Sequence, residues 1–385
     1  MTAMRISETN QIGWEKEQKD VRFVLSTSTQ LLEDIVPQIV SIATALPPYR
    51  VDQNEAKAFV SELFGPYRAD LNRLLPLFDH AGIKSRYFSV PSDWFGQKHT
   101  PGETNRIYIQ AATDLGAQAS RELLENTGTA PEEIDYIIYI NTTGLATPSI
   151  DARLINVLNL RRNIRRTPIW GLGCAGGTAG LSHAYHYLLG HPGHRVLVVA
   201  VELCGLTFVP DDYSKSNLVA CALFGDGAAA ALVCGDEVES DGLNILDTQS
   251  TFYPDSLEVM GWNIGSRGMQ VVFDKKIPSI VLEHASNELD IFLNEHQLER
   301  DNIAQFLYHP GGTKVIEAYE SAYGVNGDRL ENSRSTLRDF GNMSSVTVFF
   351  VIERYLNRNG TNRSGYGVIS ALGPGFCSES LLVES

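Results

Sequence analysis

A chain of 385 residues, 43% hydrophobic and 20% charged, can bury a large core or two packed half-domains and has an ordinary soluble globular composition. Its 46 acidic against 31 basic side chains leave a formal net charge of −15. That argues against nucleic acid or an anionic membrane surface as a general partner, and an anionic small ligand would need a local basic patch.

No apolar run approaches the ~18 to 20 residues that a membrane span requires. Five cysteines (Cys174, Cys204, Cys221, Cys234, Cys377) are widely spaced, with no C-x-x-C pair and no secretory signal, which predicts a reducing cytoplasm, no disulfide frame and no zinc site. Residues 1–34 are mostly polar and weakly patterned and read as an N-terminal extension.

From there strand-length apolar runs alternate with helical patterns. The first half, 35–241, gives a strand over Ile39–Ala43, helices over Asn54–Phe64 and Thr104–Leu124, and strands over Tyr136–Asn141 and Pro168–Leu172. A helix after Cys174, a strand over Val196–Val201 and a small-residue strand from Ala228 follow. The second half, 242–385, gives strands over Leu243–Phe252 and Gln270–Phe273, a helix over Ile277–Glu295, a strand over Ile303–Tyr308 and helices over Lys314–Tyr323 and Val346–Tyr355. Strands over Tyr366–Ala371 and Ser380–Val383 close it. Two α/β halves of similar order predict an internally duplicated core with an active site between them.

The turn Gly171-Leu172-Gly173-Cys174-Ala175-Gly176-Gly177 places a thiol at a helix N-terminus, where unpaired N–H groups and the helix dipole favour a thiolate. Cys174 is therefore a candidate nucleophile. His309, in His309-Pro310-Gly311-Gly312, can hold a thiolate or take its proton. Asn342, in Gly341-Asn342-Met343-Ser344-Ser345, can donate to an oxyanion without adding charge.

Rival readings exist. Gly171, Gly173 and Gly176 also match a dinucleotide-binding turn, with Glu202 where a ribose-binding acid could stand, which would make the chain an NAD(P)-dependent oxidoreductase. Cys, His and Asn in that order also suit a cysteine hydrolase, although about 170 residues precede the cysteine here, unlike papain-like enzymes. His183, His186, His191 and His194 lack cysteine or carboxylate company and read as a solvated helix end rather than a metal site.

Taken with Ala222-Leu223-Phe224-Gly225-Asp226-Gly227-Ala228 and Gly373-Pro374-Gly375-Phe376, these strings resemble the type III polyketide synthases, the chalcone synthase relatives of the thiolase superfamily. The resemblance implies a thiolase-like α/β fold, a duplicated αβαβα five-layer core with two mixed sheets, and a cytoplasmic homodimer. β-Ketoacyl-ACP synthase III shares the Cys/His/Asn logic but usually carries His-Gln-Ala-Asn in place of His309-Pro310-Gly311-Gly312. The implied activity is decarboxylative Claisen condensation by an acyltransferase. Its substrates are CoA thioesters, with an acyl-carrier protein as an alternative starter donor, and it needs no metal or redox cofactor.

By the same resemblance Cys174 carries the acyl group, His309 is its ion-pair partner, His309 and Asn342 polarise the thioester carbonyl, and Phe224 is the gatekeeper between a CoA tunnel and the cavity. Val201-Glu202-Leu203-Cys204 and Val259-Met260-Gly261-Trp262 are closer to bacterial alkylresorcinol and alkylpyrone synthases, which take long fatty acyl starters. Cys204, Thr207, Val271 and the Thr142-Thr143 turn are then expected to line an alkyl pocket, with Phe208 and Trp262 as rings able to close it. Thr147 stands where a methionine crosses the dimer interface in plant enzymes. Thr142, Glu202 and Ser344 map to the aldol-switch network, and Gly373, Pro374, Gly375 and Phe376, after Ala371-Leu372, to the cyclisation wall. Arg68, Arg73, Lys84, Arg86 and Lys314 are the candidate cations at the CoA tunnel mouth.

Overall fold

The computed structural model describes residues 35–359 and 365–385, so the extension expected over 1–34 lies outside them. The first half runs β1 (Gln38–Ala45), β2 (Tyr49–Asp52), α1 (Gln53–Phe64), β3 (Ser85–Phe88), α2 (Pro101–Thr127), β4 (Tyr136–Asn141), α3 (Ile150–Val157) and β5 (Arg165–Trp170). It continues through α4 (Gly176–Leu189), β6 (Arg195–Leu203), α5 (Lys215–Leu223) and β7 (Asp226–Cys234). The second half runs β8 (Leu243–Phe252), β9 (Met260–Gly265), β10 (Gly268–Phe273), α6 (Ile277–Glu295), β11 (Ile303–Tyr308) and α7 (Thr313–Tyr323). It ends with α8 (Glu331–Phe340), α9 (Thr347–Asn359), β12 (Tyr366–Gly373) and β13 (Cys377–Glu384).

Local chemistry sets several of these boundaries. Thr100 accepts from the Glu103 amide while Glu103 accepts from the Thr100 amide, a reciprocal cap that starts α2 at Pro101, earlier than its apolar period suggests. Gly128, at φ +63°, ends it in the left-handed conformation that a side chain would resist.

The strands order as β11-β12-β13-β8-β1-β7-β6-β4-β5. Each half is a mixed sheet, as expected, but the two are joined edge to edge. β1 and β8 pair through Gln38 with Asn244 and Ile39 with Leu243, making one nine-stranded sheet.

Alternating strand residues divide the core into five layers. Ile137, Leu197 and Ala228 face α2 through Ala112, Leu115 and Leu123. Their neighbours Ile138, Val198 and Ala229 face inward onto α4 and α9, which also receive Leu307, Ile369 and Leu381 from the second half. Phe306, Val368 and Leu382 point the other way, onto α6 and α7. Strands covered on both faces read as continuous apolar runs rather than alternating ones, which explains Val196 to Leu203. The two buried helices α4 and α9 thus lie between the halves, and their N-termini meet.

Candidate active site

Cys174 sits in a single 3-10 turn, Gly173–Ala175, that leads directly into α4. Gly171 and Gly173 hold φ of +92° and +49°, and a Cβ on Gly173 would come within 2.7 Å of Pro374. Glycine is therefore required both by conformation and by the approach of the β12–β13 loop. The second half repeats the arrangement: Asn342 precedes the 3-10 turn Ser344–Val346 that leads into α9. His309 follows the last residue of β11, its amide donating to Ser370 O at 2.8 Å. Nucleophile, imidazole and carboxamide all line one cavity of about 610 Å³.

All three are buried, at 6%, 5% and 1% exposure for Cys174, His309 and Asn342. The Asn342 amide is oriented by its surroundings: Oδ1 accepts from the Ser344 amide at 2.8 Å, and Nδ2 donates to Gly311 O at 3.1 Å with a second hydrogen to spare. Its backbone bridges Phe224, with Asn342 N donating to Leu223 O and Gly225 N to Asn342 O, each at 2.9 Å. Both ring nitrogens of His309 are buried with no partner among the described residues.

Burial pushes the Cys174 thiol up to about 12 and His309 down to about 3, each toward its neutral form and against the implied ion pair. The reason is desolvation: neither charge has enough compensation in a dry pocket, and the buried Glu202 further disfavours a thiolate. The thiol donates instead to Ser344 Oγ, at a sulfur–oxygen distance of 3.8 Å.

Below the thiol, the Glu202 carboxylate accepts from the amides of Thr142 and Thr143 at 3.0 and 3.1 Å, from Thr143 Oγ1 at 2.9 Å and from Ser345 Oγ at 2.8 Å. Burial raises its pKa against these bonds. Thr142 Oγ1 accepts from the Gly173 amide at 3.0 Å, tying the network to the nucleophile turn. Ser345 thus joins Thr142 and Glu202, while the Ser344 hydroxyl faces Cys174. Gly373, Pro374, Gly375 and Phe376 line none of the cavities described for this site. A Cβ on Gly373 would lie 2.5 Å from Ala175, and Phe376 is fully buried in the core under α6, so the loop buttresses the turn and Leu372 is the wall residue.

Phe224, Cys204, Thr207, Phe208, Trp262 and Val271 line a second, largely apolar cavity of about 410 Å³. The Phe224 ring stacks on Trp262 at 6.0 Å and leans on Phe273 at 5.6 Å. Because Phe273 lines the thiol cavity and Trp262 the apolar one, this aromatic group stands between them. Thr143 borders a third hollow of about 220 Å³, Thr142 is consumed by the turn, and Thr147 is exposed and lines none of these cavities.

Of the five expected cations only Lys314 lines the thiol cavity. Lys215 and Lys275, exposed like Lys314, join it there and were not foreseen. Arg68 is bound to Asp70 and Tyr213 O, and Arg73 reaches only the same Asp70 at 3.5 Å. Lys84 is exposed away from the cavity. Arg86 is 1% exposed and donates to the carbonyls of Cys221 and Phe224 at 2.7 and 2.8 Å, so it is a structural brace of the aromatic partition. Nothing in composition separates a bracing arginine from a ligand-binding one.

The dinucleotide and histidine-metal readings find no support in this geometry. A Cβ on Gly176 would lie 2.8 Å from Ile140, and Gly173 is covered by Pro374, leaving no room for a pyrophosphate against this turn. His186 and His191 spend Nδ1 on carbonyls of their own helix, and no metal-binding cluster occurs among the described residues. No helix among them is long and apolar enough to cross a membrane.

Family models described as chalcone and stilbene synthases, N-terminal domain and C-terminal domain, match residues 35–237 and 244–385. The chain is 41% identical over 355 residues to a Bacillus subtilis (strain 168) protein named "Putative chalcone synthase", covering 89% of this chain and 97% of that one. It is 36% identical over 349 residues to a 1,3,6,8-tetrahydroxynaphthalene synthase of Streptomyces peucetius subsp. caesius, covering 90% and 92%. Among solved structures, CsyB complexed with CoA-SH superposes with a TM-score of 0.84 at 26% identity, over 90% of this chain and 99% of that one.

Proposed function

The chain belongs to the chalcone and stilbene synthase family of type III polyketide synthases, decarboxylating acyl-condensing transferases, and from that premise we propose that it primes with a medium- or long-chain fatty acyl-CoA, extends with malonyl-CoA and closes the product to an alkylpyrone or alkylresorcinol. The observation that carries the starter class is the 410 Å³ cavity behind Phe224, with Cys204, Val271, Phe208 and Trp262 among its apolar walls and Arg86 and Asn217 among the buried polar groups on it. Burying an alkyl chain there contributes ~0.8 kcal/mol per methylene.

In this reading Lys215, Lys275 and Lys314 hold the CoA phosphates at the mouth, as an acidic protein requires local cations for an anionic substrate. Cys174 sulfur attacks the starter's thioester carbonyl; His309, neutral and unpartnered, takes the thiol proton and returns it to the departing CoA sulfur. The developing oxyanion accepts from the spare Asn342 Nδ2 hydrogen and a His309 N–H. Malonyl-CoA then loses CO2, and the same donors stabilise its enolate. The enolate carbon attacks the Cys174 thioester, forming the new C–C bond and breaking the C–S bond; the expelled Cys174 thiolate takes a proton from solvent before the next cycle. The chain acts as a homodimer in the cytoplasm, with Thr147 on the exposed surface facing the partner.

Incubation with a ladder of acyl-CoA starters and malonyl-CoA, without nicotinamide, followed by mass spectrometry tests the proposal. Pyrones or resorcinols bearing the starter's alkyl chain are expected. Product built from malonyl-CoA alone, with every fatty starter left intact, would overturn the starter class while leaving the family chemistry standing.

A further inference from the structure

Helices α1 and α5 carry no catalytic group, yet each turns one face into the 410 Å³ cavity. Ala56, Phe59 and Val60 come from α1, and Asn217, Ala220 and Cys221 from α5, each set at i, i+3 and i+4. A small residue sits in each lining face, Ala56 on α1 and Ala220 on α5, so neither helix fills the cavity at that point. The cavity's inner end is the Phe224–Trp262 stack; its outer end is Arg50 and Glu55, both exposed. Those two polar groups are already engaged, Arg50 with Asp52 at 3.0 Å and Glu55 with the Asp52 amide at 3.0 Å, so they form a wet rim rather than a polar floor.

A competing path leads to the 220 Å³ hollow beside Thr143. It shares Phe95, Thr207 and Phe208 with the larger cavity, but the Phe95 and Phe208 rings meet edge to face at 5.8 Å across the passage. We infer that the acyl chain runs beneath α1 and out toward Arg50 and Glu55, and that Ala56 on α1 is the residue that sets how long a starter is accepted. The inference rests on the fatty-starter reading and adds to it a route and a specificity-determining residue, in a helix distant from the thiol.

The test is the chain-length profile of kcat/KM, measured on the full-length protein with saturated acyl-CoAs of rising length plus malonyl-CoA. Ala56→Phe should leave the shortest starters within about two-fold and cost about four-fold for each methylene excluded beyond the new block, the factor equivalent to one buried methylene. Phe59→Ala, which removes a ring from the same face, should shift the profile toward longer chains by the same factor per methylene and serves where the larger side chain upsets folding. Met269→Trp, which fills only the smaller hollow, should leave the profile unchanged. Truncation by Met269→Trp, or flat profiles in Ala56→Phe and Phe59→Ala, would overturn the route under α1 while fatty starters are still consumed. Failure of the wild type to consume any fatty starter would instead overturn the starter reading, and this inference with it.

Discussion

Cys174, His309 and Asn342 were legible because each stands at a forced backbone turn, and such turns leave glycines in the sequence: Gly171 and Gly173 before the thiol, Gly311 after the imidazole, Gly341 before the carboxamide. Lys215 and Lys275 left no such trace, since a cavity mouth is assembled from residues far apart in the chain and an isolated lysine is usually a solvated surface charge. The desolvation acting on the thiol was equally hidden, because a helix N-terminus argues for a thiolate and only the packed surroundings show how deeply Cys174 is buried. With the thiol near 12 and burial the dominant cause, alkylation of Cys174 by iodoacetamide should rise about ten-fold per pH unit from pH 6 to 9, read by peptide mass spectrometry. The imidazole, near 3, stays neutral throughout that range and adds no inflection. A rate that is flat above pH 6 would show a preformed thiolate–imidazolium pair and contradict the neutral resting site.

Among the elements, α6, β8 and β11 fall at the bounds their periodicity predicts, while α8 and β9 escaped notice. α8 buries Ser333, Ser335 and Thr336 where an apolar stripe would be expected; Ser333 bonds the Tyr308 carbonyl at 2.6 Å and Ser335 the Glu331 carbonyl at 2.7 Å. A buried face made of hydroxyl groups has no hydrophobic period to detect. β9 pairs with β10 so that Met260 opposes Phe273, Trp262 opposes Val271 and Ile264 opposes Met269, and these three pairs border the thiol cavity, the apolar cavity and the smaller hollow in turn. The contact between α4 and the turn before α9 offers an element-scale test. A Cβ on Gly177 would lie 2.3 Å from Ser345 O and 2.7 Å from Val348, and backbone cannot step aside cheaply. Gly177→Ala should therefore lower stability by about 1–3 kcal/mol despite alanine's better helix propensity, seen as a reduced urea midpoint. An unchanged or raised midpoint would mean the two helices are less tightly seated than described.

At the scale of the whole molecule, the two halves place the candidate groups at equivalent positions: Cys174, the proposed nucleophile, at the N-terminus of α4 and Asn342, the proposed oxyanion donor, before α9, in turns that contact one another. The alternation of strands and helices made the duplication readable, whereas the edge-to-edge joining of β1 and β8 depends on two residue pairs that no local pattern marks. Burying both helices between the halves leaves Cys174, His309 and Asn342 almost without solvent exposure, where hydrogen-bond donors act strongly and burial disfavours charge. In the proposed function Cys174 accepts a fatty acyl group from CoA and passes it to malonyl-derived carbon. Intact-protein and peptide mass spectrometry after incubation with a fatty acyl-CoA alone measures this directly. One acyl group is expected, on Cys174, and it should be discharged into alkylated polyketide when malonyl-CoA is added. An unmodified Cys174, or an acyl group on another residue that malonyl-CoA does not discharge, would contradict it.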